Sequence, residues 1–428
     1  MKPVNVGLLG LGTVGTGVVR IVEGHQEDLS SKVGSSIRIR KVLVKDSLKQ
    51  RNLPIDQELM TEDAWEVIND PDIDIIIEVM GGIEPTKEYI LAALERGKHI
   101  ITANKDLMAL HGQEIMAKAH DNNCDVLYEA SVAGGIPIIR TLTEGFSSDR
   151  ITKIMGIVNG TTNYILTKMS KEGASYDEVL KEAQGLGYAE ADPTSDVEGL
   201  DAARKMTILA TLGFHTNISL DDVEVRGISK VSPEDILYAK RLGYEMKLLG
   251  IAERTDEQIS VVVQPTMVST SHPLASVNGV FNAVYVYGEA VGETMFYGPG
   301  AGEMPTATSV VADLVAVIRN MRLGVNGKRV HHAYNEKKLK TDEQIAYKNF
   351  ILLDVKDKAG VLAQITQAFA KYEVSLESVV QQPNPNNPEA EIVIITHQAT
   401  QANMKKVLDY FENLEVINMI KSVYRVEG

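Results

Sequence analysis

The hydrophobic pattern changes period along the chain. In the first third, short apolar runs alternate with helix-period segments. "VNVGLL" (4–9), "SIRIRKVLV" (36–44), "IDIIIEVM" (73–80), "KHIIT" (98–102) and "DVLYEA" (125–130) predict strands. Helices are expected over 14–24, 63–68 and 87–97 and through "LMALHGQEIMAKAHDN". Near-continuous apolar strands interleaved with helices define an α/β fold of the Rossmann type, a parallel sheet covered on both faces. The middle has another texture. "ITKIMGIV" (151–158) predicts a strand, and helices follow over 161–171, 176–185, 197–214 and 233–248. Then come "ISVVVQPTMV" and "NAVYVYGEA", both strand-like, and a Gly/Pro loop feeding a long helix across 298–321. This is the pattern of an α+β domain. Residues 322–347 are polar and rich in Lys, His and Asn, and predict a linker. Residues 348–428 carry elements in the order βαββαβ, which closes as a small ferredoxin-like antiparallel sheet with two helices on one face.

Size and charge narrow the function classes. At 428 residues and 44% hydrophobic content the chain supports two or three domains with cores of their own. A net charge of −15 argues against nucleic acid and anionic membrane as main partners. The start "MKPVNVGLLGLG" lacks a signal-peptide pattern, and no uncharged apolar run approaches the ~18–20 residues of a membrane span. The single cysteine, Cys124, allows no disulfide within the chain and is expected to be a packed core residue. These features predict a cytoplasmic protein. The adjacent His331 and His332 lack further converging ligands and are expected to be solvated rather than metal-bound.

"GLGTVG" (10–15) joins the first strand to the first helix. Gly10 permits the tight turn, Gly12 lets a pyrophosphate approach the backbone, and Gly15 lets helix and strand pack closely. Thr13 and Val14 open the helix, whose free N–H groups face the anion. Dinucleotide binding is the expectation. The second strand ends "VLVKD", with Lys45 before Asp46 and Arg40, Lys41 and Arg51 nearby. That cationic group favours the 2′-phosphate of NADP(H) and leaves NAD(H) use open.

Two further stretches carry candidate chemistry. "IITANKDLMA" sets Asn104 and Lys105 just past a buried strand, where open α/β sheets bind ligands. A lysine there suits a carboxylate or a proton transfer, since the helix dipole disfavours it as decoration. "EADPTSDVEGLDAARK" (190–205) runs into the uncharged "MTILATLGF". Asp201 and Lys205 are i, i+4 and share a face that continues as Ile208, Leu209 and Leu212. An exposed pair of this kind contributes only ~0.3–0.5 kcal/mol and does not explain the apolar continuation. The floor of a cleft does. Asp196 is expected to cap the helix, Glu198 to be solvated, and Glu190 to help hold an ammonium group.

Together, "GLGTVGTGV", "TANKDLMA", "YEASVAGGIPII", "GIVNGTTNYIL", "GYAEADPTSDVEGLDAARK" and "GPGAGEMPTA" resemble homoserine dehydrogenases of the three-domain form, over essentially the full length. The resemblance implies NAD(P)-linked interconversion of L-aspartate 4-semialdehyde and L-homoserine. It implies that Lys205 exchanges the proton at the substrate oxygen, with Lys105 assisting there and beside the cofactor. Glu190 and Asp201 would bind substrate, with Asp196, Gly160, Thr161 and Tyr188 around them. Glu129 and the backbone oxygens of Val132, Gly134 and Ile136 would hold a monovalent cation, Na⁺. Gly302 would approach the cofactor. The implied domains are 1–130 for dinucleotide binding, with 298–321 packed back on it, and 131–321 for substrate and dimerisation.

The tail resembles an ACT domain. Its "DKAGVLAQI" is where such domains take an amino acid, so Asp357 and Gly360 are candidate effector contacts. The family implies threonine feedback, and a dimerisation module without effector is the alternative. A homodimer or homotetramer is expected.

Overall fold

The computed structural model describes residues 2–328, 333–383 and 389–428; the expectation for His331 and His332 lies outside them. The chain forms two compact units: Met1–Gly160 with Asp201–Val223 and Phe281–Glu336, and Thr161–Leu200 with Glu224–Val280 and Lys337–Gly428.

The first unit holds a six-stranded parallel sheet. Its strands lie in the order Met60–Thr61, Ile37–Leu43, Val4–Leu9, Ile75–Glu78, His99–Thr102, Val126–Leu127. Every residue of the Val4–Leu9 and Ile75–Glu78 strands is buried, as expected for strands covered on both faces. The long helix Glu303–Leu323 returns to this sheet and lies against Thr13–Gly24. Its Ala307, Val310, Leu314, Val317 and Ile318 join Val18, Val19 and Val22 in one core cluster. The approach is close because Gly17 has no side chain: a Cβ there would lie 2.6 Å from the Glu303 carbonyl oxygen. Beside this body, Ile151–Ile157, Phe281–Gly288 and Gly292–Pro299 pair antiparallel.

In the second unit, Tyr244–Thr255 and Gln258–Ser269 form a long antiparallel hairpin. The tail follows the expected βαββαβ order, with Ala346–Lys356 between Glu389–Thr396 and Ile417–Glu427 and with Leu376–Pro383 at the edge. Helices Val361–Lys371 and Gln401–Glu412 supply Ile365, Phe369, Val407 and Phe411 to its core. This sheet continues into the hairpin through a short parallel pairing of Thr266–Val268 with Arg425–Glu427.

The structure differs from the sequence expectations in four places. The helix expected over 233–248 stops at Arg241, because Gly243 turns the chain at φ +82° and Tyr244 begins a strand. The helix expected over 197–214 is two, Thr194–Val197 and Leu200–Phe214, separated by Gly199 at φ +82°. An extra helix, Gln26–Val33, buries only Leu29 and Val33. The linker 322–347 is more ordered than its composition suggests: residues 322 and 323 end the preceding helix, Asn335 N–H donates to the His215 carbonyl, and Lys340 N–H donates to that of Ile259.

Candidate active site

The glycine-rich turn is built as a phosphate cradle. Gly10 has φ +105°, and a Cβ there would sit 2.8 Å from the Met80 backbone. Gly15 packs still closer, its added Cβ falling 2.2 Å from the Gly10 carbonyl oxygen. Gly12 faces open space, with nothing within 4 Å of an added Cβ. A cavity of about 890 Å³ opens from this turn and is lined by Gly10, Gly12, Lys45, Lys49, Arg51 and Met80. These residues fit a dinucleotide. Two substitutions separate the roles: Gly12→Val should lower dinucleotide affinity about tenfold or more with Tm unchanged. Gly15→Val should instead lower stability by about 1–3 kcal/mol, through overpacking. Fluorescence titration and thermal melting of both variants check this.

Arg40 does not reach the cavity, which corrects the expectation for it. Its guanidinium pairs with Asp70 and Asp72, both at 2.8 Å. Those carboxylates precede Ile75–Glu78 and therefore lie towards the amino ends of the parallel strands, away from the cavity. Lys45 lines the cavity, and Lys49 joins it.

The charged group centres on Asp201, on the second residue of the helix Leu200–Phe214. Its buried carboxylate is shared. Oδ2 accepts from Lys205 Nζ at 2.7 Å and from Asn159 Nδ2 at 2.9 Å, while Oδ1 lies 3.2 Å from Lys105 Nζ. Burial alone would raise the pKa of Asp201. The charges of Lys205 and Lys105 and the two hydrogen bonds outweigh it and hold the pKa down to about 2. Burial likewise lowers the pKa of Lys105, but the Asp201 and Asp106 carboxylates overcome it and the net shift is upward. Lys205 Nζ also donates to the Val158 carbonyl at 2.6 Å. An ammonium has three N–H donors, so Lys205 keeps one without a partner among the described residues.

Each lysine has a local reason for its place. Lys105 opens its helix, and the Asn104 side chain caps that helix by accepting from Leu107 N–H. Asn104 also donates to the Gly82 carbonyl at 2.6 Å. Beside it, buried Glu78 accepts from Met80 N–H, Gly81 N–H and the Thr102 hydroxyl, which fixes the ends of two central strands. Its burial raises its pKa. The two helices are further tied by Arg204 to Asp106 at 2.8 Å. Asn159, Asp106 and Glu78 were not anticipated. The available signal for Asn159 was its place one residue beyond a buried strand end, where a polar side chain needs a partner.

Other predicted residues fall as follows. Gly160 opens the helix Gly160–Glu172 directly after Asn159. In the second unit, the Thr161 hydroxyl donates to the Tyr188 carbonyl at 2.6 Å, and Tyr188 is exposed. Glu190 is exposed, and its carbonyl accepts from Gln184. Asp196 sits inside Thr194–Val197, which Gly199 separates from the long helix, and Asp192 makes the turn ahead of it by accepting from the Thr194 N–H and hydroxyl.

Glu129 is buried beside the loop that carries Val132, Gly134 and Ile136. Its carboxylate oxygens accept from the Ile139 and Arg140 amides at 2.7 and 2.8 Å, so the carboxylate caps a helical turn. Ala133 and Gly134 both have positive φ, which turns this loop sharply. The Gly134 carbonyl accepts from Ser309. Among the described residues no cluster of three His, Cys, Asp or Glu side chains offers a metal site. That donor set, rich in carbonyls, fits a weakly charged ion better than a transition metal. Gly302 caps the helix Glu303–Leu323 at φ +128°. Cys124 is buried, and burial pushes its thiol up to about 11, so it is a packed core residue.

A dinucleotide turn and a lysine–carboxylate–lysine group at the carboxyl ends of one parallel sheet define an NAD(P)-dependent oxidoreductase. Family profiles described as "Homoserine dehydrogenase, NAD binding domain", "Homoserine dehydrogenase" and "ACT domain" match residues 10–129, 137–315 and 350–415. A homoserine dehydrogenase of Bacillus subtilis is 58% identical over 100% of this chain and 99% of its own. The crystal structure of a homoserine dehydrogenase from Thiobacillus denitrificans superposes with TM-score 0.93 at 40% identity, covering 100% of this chain and 99% of that one. A hyperthermophilic archaeal homoserine dehydrogenase in complex with NADPH matches with TM-score 0.64 at 27% identity, over 74% of this chain and 98% of its own. The chain belongs to the homoserine dehydrogenase family, with a C-terminal ACT domain, and acts in amino-acid biosynthesis.

Proposed function

We propose that Lys205 is the proton donor to the carbonyl oxygen of L-aspartate 4-semialdehyde and the acceptor from L-homoserine in the reverse direction. The observation that carries this is the Asp201 carboxylate shared between Lys205 and Lys105. Bound NAD(P)H supplies the hydride. As the aldehyde is reduced, negative charge grows on its oxygen, and a fixed cation stabilises that charge before giving up its proton. Asp201 and the Val158 carbonyl occupy two of the Lys205 donors and leave the third for the substrate oxygen. Lys105, held by the same carboxylate, adds a second positive charge at that oxygen and borders the cofactor. Glu190, Asp196, Gly160, Thr161 and Tyr188 are proposed to hold the amino-acid end of the substrate.

The same reading assigns NADP(H) as the favoured cofactor. Asp46 turns its carboxylate onto the Leu48 and Lys49 amides, while Lys45, Lys49 and Arg51 line the cavity. An NADPH-bound archaeal relative is in keeping with it. Lys45→Glu should raise KM for NADPH about tenfold and leave KM for NADH within about twofold. Nicotinamide absorbance assays of L-homoserine oxidation with each cofactor test both this preference and the activity itself.

The loop of Glu129, Val132, Gly134 and Ile136 is proposed to hold Na⁺, with the Glu129 carboxylate acting mainly as a helix cap. The domain divisions 1–130, 131–321 and 348–428, a homodimer or homotetramer, and a cytoplasmic location belong to the same proposal. No helix among the described residues is long and apolar enough to cross a membrane. The ACT domain is proposed to take threonine at Asp357 and Gly360; both are exposed, and Gly360 caps Val361–Lys371 at φ +90°.

A further inference from the structure

Lys247 is a buried charge that the proposed chemistry does not use. It lies in the strand Tyr244–Thr255, opposite Thr266, and is 1% exposed. Buried ammonium groups are ordinarily paired with a carboxylate. Lys247 has none within ion-pair distance among the described residues. Its three N–H donors go to neutral oxygens instead: the Val277 carbonyl at 2.6 Å, Asn278 Oδ1 at 3.2 Å and Asn163 Oδ1 at 3.4 Å. Burial pushes its pKa down to about 8. Two charges modify this. Glu245, on the same strand and bonded by the Ser170 hydroxyl, raises it, and Lys171, near the end of the helix Gly160–Glu172, lowers it. The turn Pro273–Ser276 beside the strand carries no charged residue, and Lys240 of Pro233–Arg241 is turned to the Ser170 carbonyl.

The three oxygens belong to two pieces of chain. Val277 and Asn278 lie in the segment 277–280, and Asn163 stands on the first turn of Gly160–Glu172. Further bonds cross between the same pieces. Asn163 Nδ2 donates to the Gly279 carbonyl at 2.9 Å and to that of Val277 at 3.2 Å, and Gly279 N–H donates to the Thr167 hydroxyl at 3.2 Å. Lys247 is the charged pin of this clamp. The chain leaves the second unit on either side of it: backwards from Thr161 to Gly160 and Asn159, and forwards from Val280 to Phe281. Asn159 is the residue whose amide holds Asp201 Oδ2 at 2.9 Å.

We infer that Lys247 is a positioning residue for the reaction: its ammonium fixes the segment 277–280 on the first turns of Gly160–Glu172, and through the start of that helix it fixes Asn159 against Asp201. It touches neither substrate nor cofactor. The inference rests on the reading of Asp201 and Lys205 above. The charge matters because charge-assisted bonds are roughly twice as strong as neutral ones. A buried cation without a counter-charge is unfavourable for stability by itself, so a positioning role accounts for it where a purely structural one does not. Loss of its proton removes both the charge and one of the three donors.

Hydrogen exchange at the Gly279 amide of the full-length protein follows the clamp, and steady-state kinetics of L-homoserine oxidation follow its consequence. Lys247→Met keeps the length of the side chain and removes its donors. It should speed Gly279 exchange about tenfold and lower kcat about tenfold, with KM for the dinucleotide within about twofold. In the parent, protection of Gly279, corrected for intrinsic exchange, should fall as pH rises through about 8, and Lys247→Met should lack that step. Thr167→Val leaves the lysine in place, removes the acceptor of the Gly279 N–H and should lower kcat in the same direction. Parental kcat in Lys247→Met overturns the inference. So does a lowered kcat with Gly279 protection unchanged, or a parent without the pH step. Lys205→Ala keeps the two readings distinguishable: parental kcat there would strike the reading of the site, whereas the exchange results test the clamp alone.

Discussion

Replacing Lys205 with alanine should lower kcat for L-homoserine oxidation by about 10²–10⁴-fold while leaving the dissociation constant for NADPH unchanged. The size follows from what is removed. Lys205 keeps a donor once Asp201 and Val158 are served. Without it the oxygen that gains charge loses both its proton source and the nearest fixed cation. Lys205→Arg should recover little, because a guanidinium does not give up a proton near neutral pH and is too broad for a position measured to two acceptors. Steady-state assays with both variants, alongside cofactor titrations, check this. A normal kcat in Lys205→Ala would remove the residue from the mechanism.

Replacing Asp201 with asparagine should lower kcat about 10²-fold or more and also weaken the fold. The substitution keeps the shape of the side chain but leaves two part-buried lysines without their shared counter-charge. Breaking a buried pair on one side costs about 3–5 kcal/mol, and part of that should appear as a lower Tm. The pH dependence has a definite sign. The folded-state pKa of Asp201, about 2, lies below the ordinary aspartate value of 3.8. Its contribution, roughly 2 kcal/mol, is therefore present above the unfolded pKa and is lost as pH falls from about 4 towards 2. Acid unfolding should accordingly be less steep in Asp201→Asn than in the parent. Equal acid-unfolding curves would contradict this electrostatic role.

The pairing of Asp201 with Lys205 was legible in the sequence because helical periodicity puts residues four apart on one face, and the uncharged continuation marked that face as buried. The third partner was not. Asn159 is a single loop residue, and nothing in its spacing points to a helix that starts more than forty residues later, at Leu200. Arg40 shows the converse failure. Proximity in sequence to Lys45 suggested one cationic group, but three residues along the second strand carry Arg40 away from the carboxyl end, to Asp70 and Asp72. The parallel sheet and the βαββαβ tail were legible because their strands are continuous apolar runs. Gln26–Val33 was not, because two buried residues in eight leave no periodic signal. The start of Tyr244–Thr255, residues 244–248, is taken into the expected helix because "YEMKL" carries both periods, and only its partner strand decides between them.

Single-turnover stopped-flow of the NADPH-loaded protein with saturating L-aspartate 4-semialdehyde tests the central claim most directly, since it isolates hydride transfer from product release. The loss of nicotinamide absorbance should be at least about 100-fold slower in Lys205→Ala than in the parent, with the same amplitude of bound NADPH. A rate equal to that of the parent would contradict the assignment of Lys205 as the proton donor.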